Sequence, residues 1–266
     1  MMHLTKLEGL GNDYLFLNCL EETPNHLPEL ARKLSDRHFG VGADGLICVK
    51  KGVTGDFTME MYNADGSRGS MCGNGIRCLG KYVYDKGLTD RLFLTIDTDA
   101  GPHDLELRLS EGQVGLVRVD MRLPAISPKV ELKVDSTIYS AIPVDMGNPH
   151  AVIFVSDPYS IPLEQLGPKL EHHPDLPTRS NIEFVQVNAP NFLTVRVWER
   201  GSGITMACGT GACAAFAAAR QQGLCGDGVS VHLPGGNLWI EQQADSLHLT
   251  GPVATVFEAE VPDPIL

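Results

Sequence analysis

Cys72 and Cys208 each sit in a polar, glycine-rich turn, MCGNG and ACGTG, that opens onto a helical pattern. A cysteine just before the first turn of a helix meets the positive end of the macrodipole and N–H groups without helical partners, and both lower a thiol pKa toward that of a usable base. Glycines in such turns let main-chain amides approach a ligand closely, and those amides form an anion site suited to an α-carboxylate. With a thiolate on one face of a bound α-amino acid and a thiol on the other, one removes the Cα proton and the other returns a proton to the opposite face. The stereocentre inverts. Because the Cα–H is a very weak acid, the carbanion needs dipoles aimed at the carboxylate in a closed, dry site, which two helix ends would supply. No pyridoxal phosphate is required by this scheme, and neither a cofactor nor a metal is expected.

The elements around the two thiols repeat. The cysteines lie 136 positions apart in a chain of 266, and Asn63 and Glu199 each close an alternating run nine positions before their cysteine. Strand, polar loop, cysteine and helix therefore occur twice, which is the pattern of a duplicated domain. We expect halves at 1–124 and 125–266, divided near the Pro-containing LPAISPK from Leu123, with the extreme C-terminal strand able to pack back on the first half. A pseudo-twofold axis would let the two cysteines approach one cleft from opposite sides.

Short alternating runs predict strands: YLFLNC from Tyr14, DFTMEMY from Asp56, RLFLTID from Arg91, LELRL from Leu105, GLVRVDM from Gly115 and AVIFV from Ala151 in the first part of the chain. IEFVQV from Ile182, FLTVRVWE from Phe192, VSVHL from Val229, LWIEQ from Leu238 and LHLTG from Leu247 follow. Helices are fewer: one with Leu27, Leu30, Ala31 and Leu34 on one face, one over GIRCLGKYVYDKG ending at Gly87, and one over GACAAFAAARQQG from Gly211. The last is apolar nearly all round and should lie inside a sheet or barrel. The fold class is α+β with mixed or antiparallel sheets.

Composition removes other classes. Hydrophobic residues are 43% and charged residues 20%, which suits a folded globular chain, and the net charge of −12 would repel a phosphate backbone or an anionic membrane surface. We therefore expect neither nucleic acid nor membrane as partner. Lys6, Glu8 and Asp13 interrupt any apolar leader, so a cytoplasmic location is expected. The uncharged stretch between Arg200 and Arg220 is too rich in glycine, serine and threonine to span a bilayer. Seven cysteines, an odd number without a CxxC pair, match neither a disulfide framework nor a zinc site. Cys19, Cys48, Cys78, Cys213 and Cys225 are read as small buried hydrophobes.

Longer motifs extend the pattern. GLGNDY, DRHFGVGADG, MYNADGSRGSMCGNGIRC, MGNPHAV and VWERGSGITMACGTGACAA, spread over nearly the whole chain, closely resemble the diaminopimelate epimerases, which work without pyridoxal phosphate. The resemblance implies two similar domains, each a β-barrel-like sheet around a central helix, with the active site between them. It makes Cys72 and Cys208 the two acid–base residues and gives His150 and Glu199 the task of assisting them. Asn12, Asn63, Asn148 and Asn181 match substrate-binding asparagines, and Gly73, Asn74, Gly209 and Thr210 match the two carboxylate-binding helix ends. Glu199 and Arg200 match a pair near the distal end of the substrate. The implied reaction is conversion of LL-2,6-diaminopimelate to the meso form, serving lysine and peptidoglycan precursor synthesis, in a homodimer whose only other partner is the small amino-acid substrate.

Arg37, His38, His172 and His173 fall in family-like segments but are assigned structural roles. At Gly45 some members carry a glutamine that reaches the substrate, a contact glycine cannot make. Two alternatives stand beside the main reading: a racemase of another amino acid such as histidine, proline or hydroxyproline on the same two-cysteine scaffold, and a non-catalytic amino-acid-binding protein.

Overall fold

Strand is the commonest conformation among the described residues, and many of these strands alternate buried and exposed side chains. The computed structural model describes residues 1–176 and 178–262, and the chain divides into two compact units.

In the first unit, β1 (Met2–Gly9) and β2 (Asn12–Asn18) form an antiparallel hairpin. Its two-residue turn places Leu10 and Gly11 at φ 58° and 82°, the left-handed pair that matches the twist of the flanking strands. Helix α1 (Leu27–Ser35) crosses to β3 (Gly45–Lys51), which lies parallel to β2, and β4 (Phe57–Asn63) returns antiparallel to β3. After the short β5 (Arg68–Gly69), helix α2 (Gly73–Asp85) crosses to β6 (Phe93–Asp97), parallel to β4. Strands β7 (His103–Ser110) and β8 (Gln113–Asp120) complete an antiparallel meander.

In the second unit, β10 (Val130–Val134), β11 (Thr137–Asp145) and β12 (Pro149–Phe154) pair antiparallel in succession, and the short β9 (Ala125–Ile126) also joins β11. Helix α3 (Leu163–Glu171) crosses to β13 (Asn181–Ala189), parallel to β12, followed by antiparallel β14 (Phe192–Glu199) and the short β15 (Gly203–Ile204). Helix α4 (Gly209–Gln221) crosses to β16 (Gly228–Leu233), parallel to β14, and β17 (Gly236–Gln243) and β18 (Ser246–Pro252) close the meander. The final strand, β19 (Ala254–Val261), pairs antiparallel with β1.

The same chain of pairings, from β2 through α2 to β8, recurs from β12 through α4 to β18. Both helices after the cysteines are 13 residues long, and each is followed by a glycine at φ 68°, Gly87 and Gly223. The units are nonetheless cut differently from the expected halves of 1–124 and 125–266. Residues 120–124 belong to the second unit, while residues 251–262, which include the C-terminal strand expected to be able to pack back on the first half, belong to the first, where β1 offers β19 its hydrogen-bonding edge.

The helix positions follow from their side chains. In α1, Leu27, Leu30, Ala31 and Leu34 are buried as one stripe over β3 and β4. Helix α4 packs against β11, β12, β13, β14, β16 and β17, and every residue from Gly211 to Ala219 is buried, as its apolar circumference requires. Helix α3 was outside the sequence expectation because Pro168 lies within its nine residues, yet Leu163, Leu166 and Leu170 still seal one face. Strands β1, β3, β10 and β11 and the short β5, β9 and β15 also lie outside the expected runs; β3 is buried over five consecutive residues and so shows no alternation. Among the described residues, no helix is long and apolar enough to cross a membrane, and no group of three or more His, Cys, Asp or Glu converges as a metal site.

Candidate active site

The sequence places a cysteine at the N-cap of each 13-residue helix, and the local geometry of the two is nearly identical. Cys72 has φ −134° and ψ 121°, Cys208 has φ −120° and ψ 113°, and each Sγ accepts the amide of the third helical residue, Gly75 or Gly211, at 3.3 Å. A side chain accepting that amide satisfies one of the helix's orphan donors. Beyond this shared cap the two surroundings diverge.

A phenol and an amide side chain meet the Cys72 sulfur. The Tyr14 hydroxyl donates to Cys72 Sγ at 3.4 Å, and Sγ in turn lies 3.4 Å from the Asn12 side-chain oxygen. That oxygen also accepts from Asn74 at 3.1 Å, while the Asn12 amide donates to Asp44 at 2.6 Å. Arg37 holds Asp44 at 2.9 Å and Asp13 at 2.7 and 3.1 Å, which gives it the structural role expected. Burial pushes the Tyr14 hydroxyl well above its usual pKa, and the charge and hydrogen bond of Cys72 add to the rise, so Tyr14 stays a donor.

Around Cys208 the neighbours are acids. Burial, first, and then the charges of Glu199 and Glu183 push its thiol well above the usual value, outweighing the hydrogen bonds from Thr210 and the Gly211 amide. The sequence expectation of a lowered thiol pKa does not hold for Cys208, because the helix end is set inside the fold, where burial and two acids outweigh the Thr210 and Gly211 hydrogen bonds. Burial likewise raises the Glu199 carboxyl above its ordinary value, against hydrogen bonds from Thr205 and Cys208 that lower it. His150 is fully enclosed, with Nδ1 2.6 Å from Glu183 Oε1 and Nε2 3.1 Å from the Asn148 side-chain oxygen. The Asn148 amide reaches Thr210 Oγ1 at 3.3 Å, and Thr210 lies 3.5 Å from Cys208 Sγ. His150 thus connects to the thiol through Asn148 and Thr210 rather than directly.

The remaining sequence-derived residues have more local partners. Asn181 donates to the Pro149 carbonyl at 3.0 Å and accepts the Arg200 amide at 2.8 Å, while the Arg200 side chain is exposed. Asn63 donates to Ser67 at 2.9 Å. Gly73 and Gly209 are buried as the first residues of their helices. His172 caps α3 by bonding the Pro168 carbonyl at 3.0 Å, and His173 bonds the Lys133 carbonyl. At Gly45 a Cβ would sit 2.3 Å from the Tyr62 carbonyl oxygen, so a side chain here would force the backbone to shift.

Sequence reasoning missed four residues of these shells: Tyr14, Asp44, Glu183 and Thr205. Glu183 had a signal, since an acid inside the apolar run IEFV must be either exposed or partnered. The other three lie inside motifs already singled out, but nothing in their types marks them from ordinary strand and turn residues.

The diaminopimelate epimerase family profile matches residues 4–124 and 142–256. A diaminopimelate epimerase of Acetivibrio thermocellus is 46% identical over 98% of both chains, and one of Pelotomaculum thermopropionicum is 44% identical over 98% of this chain and 99% of that one. Among solved structures, a PhzF-family phenazine biosynthesis protein of Bacillus anthracis superposes with a TM-score of 0.78 at 14% identity, covering 98% of this chain and 99% of that one. A probable proline racemase of Agrobacterium radiobacter superposes with a TM-score of 0.75 at 15% identity, covering 100% and 95%, and these two likenesses concern the fold alone. The chain belongs to the diaminopimelate epimerase family.

Proposed function

We propose that the protein interconverts LL- and meso-2,6-diaminopimelate by a two-base reaction without a cofactor, with Cys72 and Cys208 as the acid–base pair. The observation that carries this reading is the duplicated N-cap thiol, each sulfur held 3.3 Å from a first-turn amide. The full-length relatives named for this activity support the substrate and, through it, a place in lysine synthesis.

Inversion needs one sulfur that accepts a proton and one that delivers it. Burial and two acids favour the protonated thiol at Cys208, which suits it to deliver a proton. Cys72, which receives the Tyr14 hydroxyl and the Gly75 amide, takes the Cα proton. The helix-end residues Gly73, Asn74, Gly209 and Thr210 offer amides to the α-carboxylate as charge develops on it. Asn12, Asn63, Asn148, Asn181, Glu199 and Arg200 orient the substrate, with Glu199 and Arg200 toward its distal end. Glu199 also bonds the Cys208 thiol, and His150 steadies Asn148 and Thr210 beside it. The family resemblance supports a cytoplasmic homodimer, and sedimentation of the purified protein tests the dimer.

The deciding experiment incubates reduced protein with LL-diaminopimelate in deuterated water and follows meso product and Cα deuterium together. Meso product carrying one deuterium at the inverted carbon is the expected result. Neither exchange nor product, from folded protein with both thiols free, overturns the substrate.

A further inference from the structure

Glu171, the last residue of α3, is buried, its side chain only 4% exposed, and its carboxylate collects four donors from two other segments. Oε2 accepts the Trp198 indole N–H at 2.7 Å. Oε1 accepts the Gly201 amide at 3.2 Å and Arg179 Nε at 3.0 Å, with Arg179 Nη2 as its second guanidinium donor. Its main-chain oxygen takes the Ser180 amide at 3.3 Å.

These partners adjoin three candidate site residues of this unit, Asn181, Glu199 and Arg200. Trp198 and Gly201 flank the pair Glu199–Arg200 on its two sides, and Ser180 directly precedes Asn181, which accepts the Arg200 amide. The segment is a tight turn: Gly201 and Gly203 adopt φ 80° and 79°, and Ser202 donates to the Glu199 carbonyl at 3.1 Å. Trp198 is also pinned from outside, because a Cβ on Gly167 of α3 would lie 2.3 Å from its ring. Burial pushes the Glu171 carboxyl up, but the bonds from Trp198 and Arg179 outweigh it and hold it below the usual range, so a full carboxylate faces these donors. Buried carboxylates persist only when hydrogen-bonded in this way.

We infer that Glu171 is a positioning residue for the reaction: it clamps both flanks of Glu199–Arg200 and so sets where that pair meets the distal end of the substrate. The inference rests on the proposed role of Glu199 and Arg200.

The test compares steady-state kinetics of the wild-type enzyme, Glu171→Gln and Arg179→Leu on diaminopimelate, with amide hydrogen exchange of residues 199–203. The Gln variant keeps the shape but, whichever way its amide turns, sets an NH2 against the Trp198 N–H or against the Gly201 and Arg179 donors. We expect its KM to rise about tenfold with kcat within about threefold, the mark of lost substrate binding rather than lost chemistry. Faster exchange in 199–203 should accompany it. Arg179→Leu, which removes two of the four donors but leaves the Trp198 and Gly201 bonds, should raise KM by a smaller factor. If Glu171→Gln does not fold, Trp198→Phe removes one flank's N–H and should raise KM in the same sense by a smaller factor. A folded Glu171→Gln enzyme with wild-type KM, or an equal effect of Arg179→Leu, overturns the inference. An inactive wild type overturns the reading of function instead.

Discussion

His150 Nδ1 and Glu183 Oε1 stand 2.6 Å apart with neither side chain reached by solvent. Between them they bring a titratable ring and a carboxylate into the floor beneath Cys208, where Gly211 is needed because a Cβ there would lie 2.8 Å from Glu183 Oε1. Buried pairs of this kind cost stability when one member is removed, since the other is left without its partner.

Replacing Glu183 by Ala should therefore destabilise the protein by about 3 kcal/mol or more. Urea unfolding monitored by circular dichroism measures this, and a loss below about 1 kcal/mol would show the pair to be dispensable.

Cys72→Ala and Cys208→Ala should each lower kcat/KM for epimerisation by at least about a hundredfold, the lower end of what a positioned acid or base contributes. Full activity in either variant would remove that thiol from the mechanism. Iodoacetamide should also modify Cys72, which is partly exposed, faster at pH 8 than Cys208, which is buried and has its pKa raised. Peptide mapping of partly alkylated protein reads the order directly.

Glu199 is held above its ordinary value of 4.5 by burial, so the unfolded chain ionises before the folded one. Stability from this group is present below the ordinary value and declines as pH rises through the raised one. Glu199→Gln should gain stability relative to the wild type between pH 4.5 and neutrality while losing activity. Denaturation midpoints across that range decide it, and a variant that loses ground as pH rises contradicts the sign.

Asp97 behaves in the opposite way. Burial raises its carboxyl, but the Thr54 hydroxyl and the amides of Gly55, Thr54 and Val53 bring it from 3.8 down to about 2. Its contribution is present above the ordinary value and fades as pH falls toward the lowered one. Asp97→Asn should cost about 1 kcal/mol at neutral pH, after allowing for solvent screening, and should flatten the acid limb of the stability curve. An unchanged acid limb would contradict this.

Gly45→Gln tests whether a missing glutamine limits recognition. The clash with the Tyr62 carbonyl is with backbone, which cannot swing aside, so the variant should lose about 1–3 kcal/mol and bind no better. A lower KM at unchanged melting temperature would show that the loop accommodates the side chain.

Much of this was legible in residue order because its causes are local. The capping geometry at Cys72 and Cys208 follows from a cysteine before a glycine-rich first turn, and the apolar circumference of α4 demands enclosure wherever it lies. The charge state of Cys208 was not legible: the helix end is a local property, whereas the burial and the acids that overrule it come from β13 and β14. Helix α3 is hidden by Pro168, which breaks the expected helical pattern inside its nine residues.

Helix α4 has a further consequence, for what sequence drift can do. Ala212, Ala214, Ala215, Ala218 and Ala219 are all without solvent exposure. Alanine has no methylene to give up, so the smaller choice is glycine, which weakens a helix interior by about 1 kcal/mol, and any larger choice overpacks the space. This helix is hemmed in from both directions. Saturation mutagenesis should find it among the least permissive stretches of the chain.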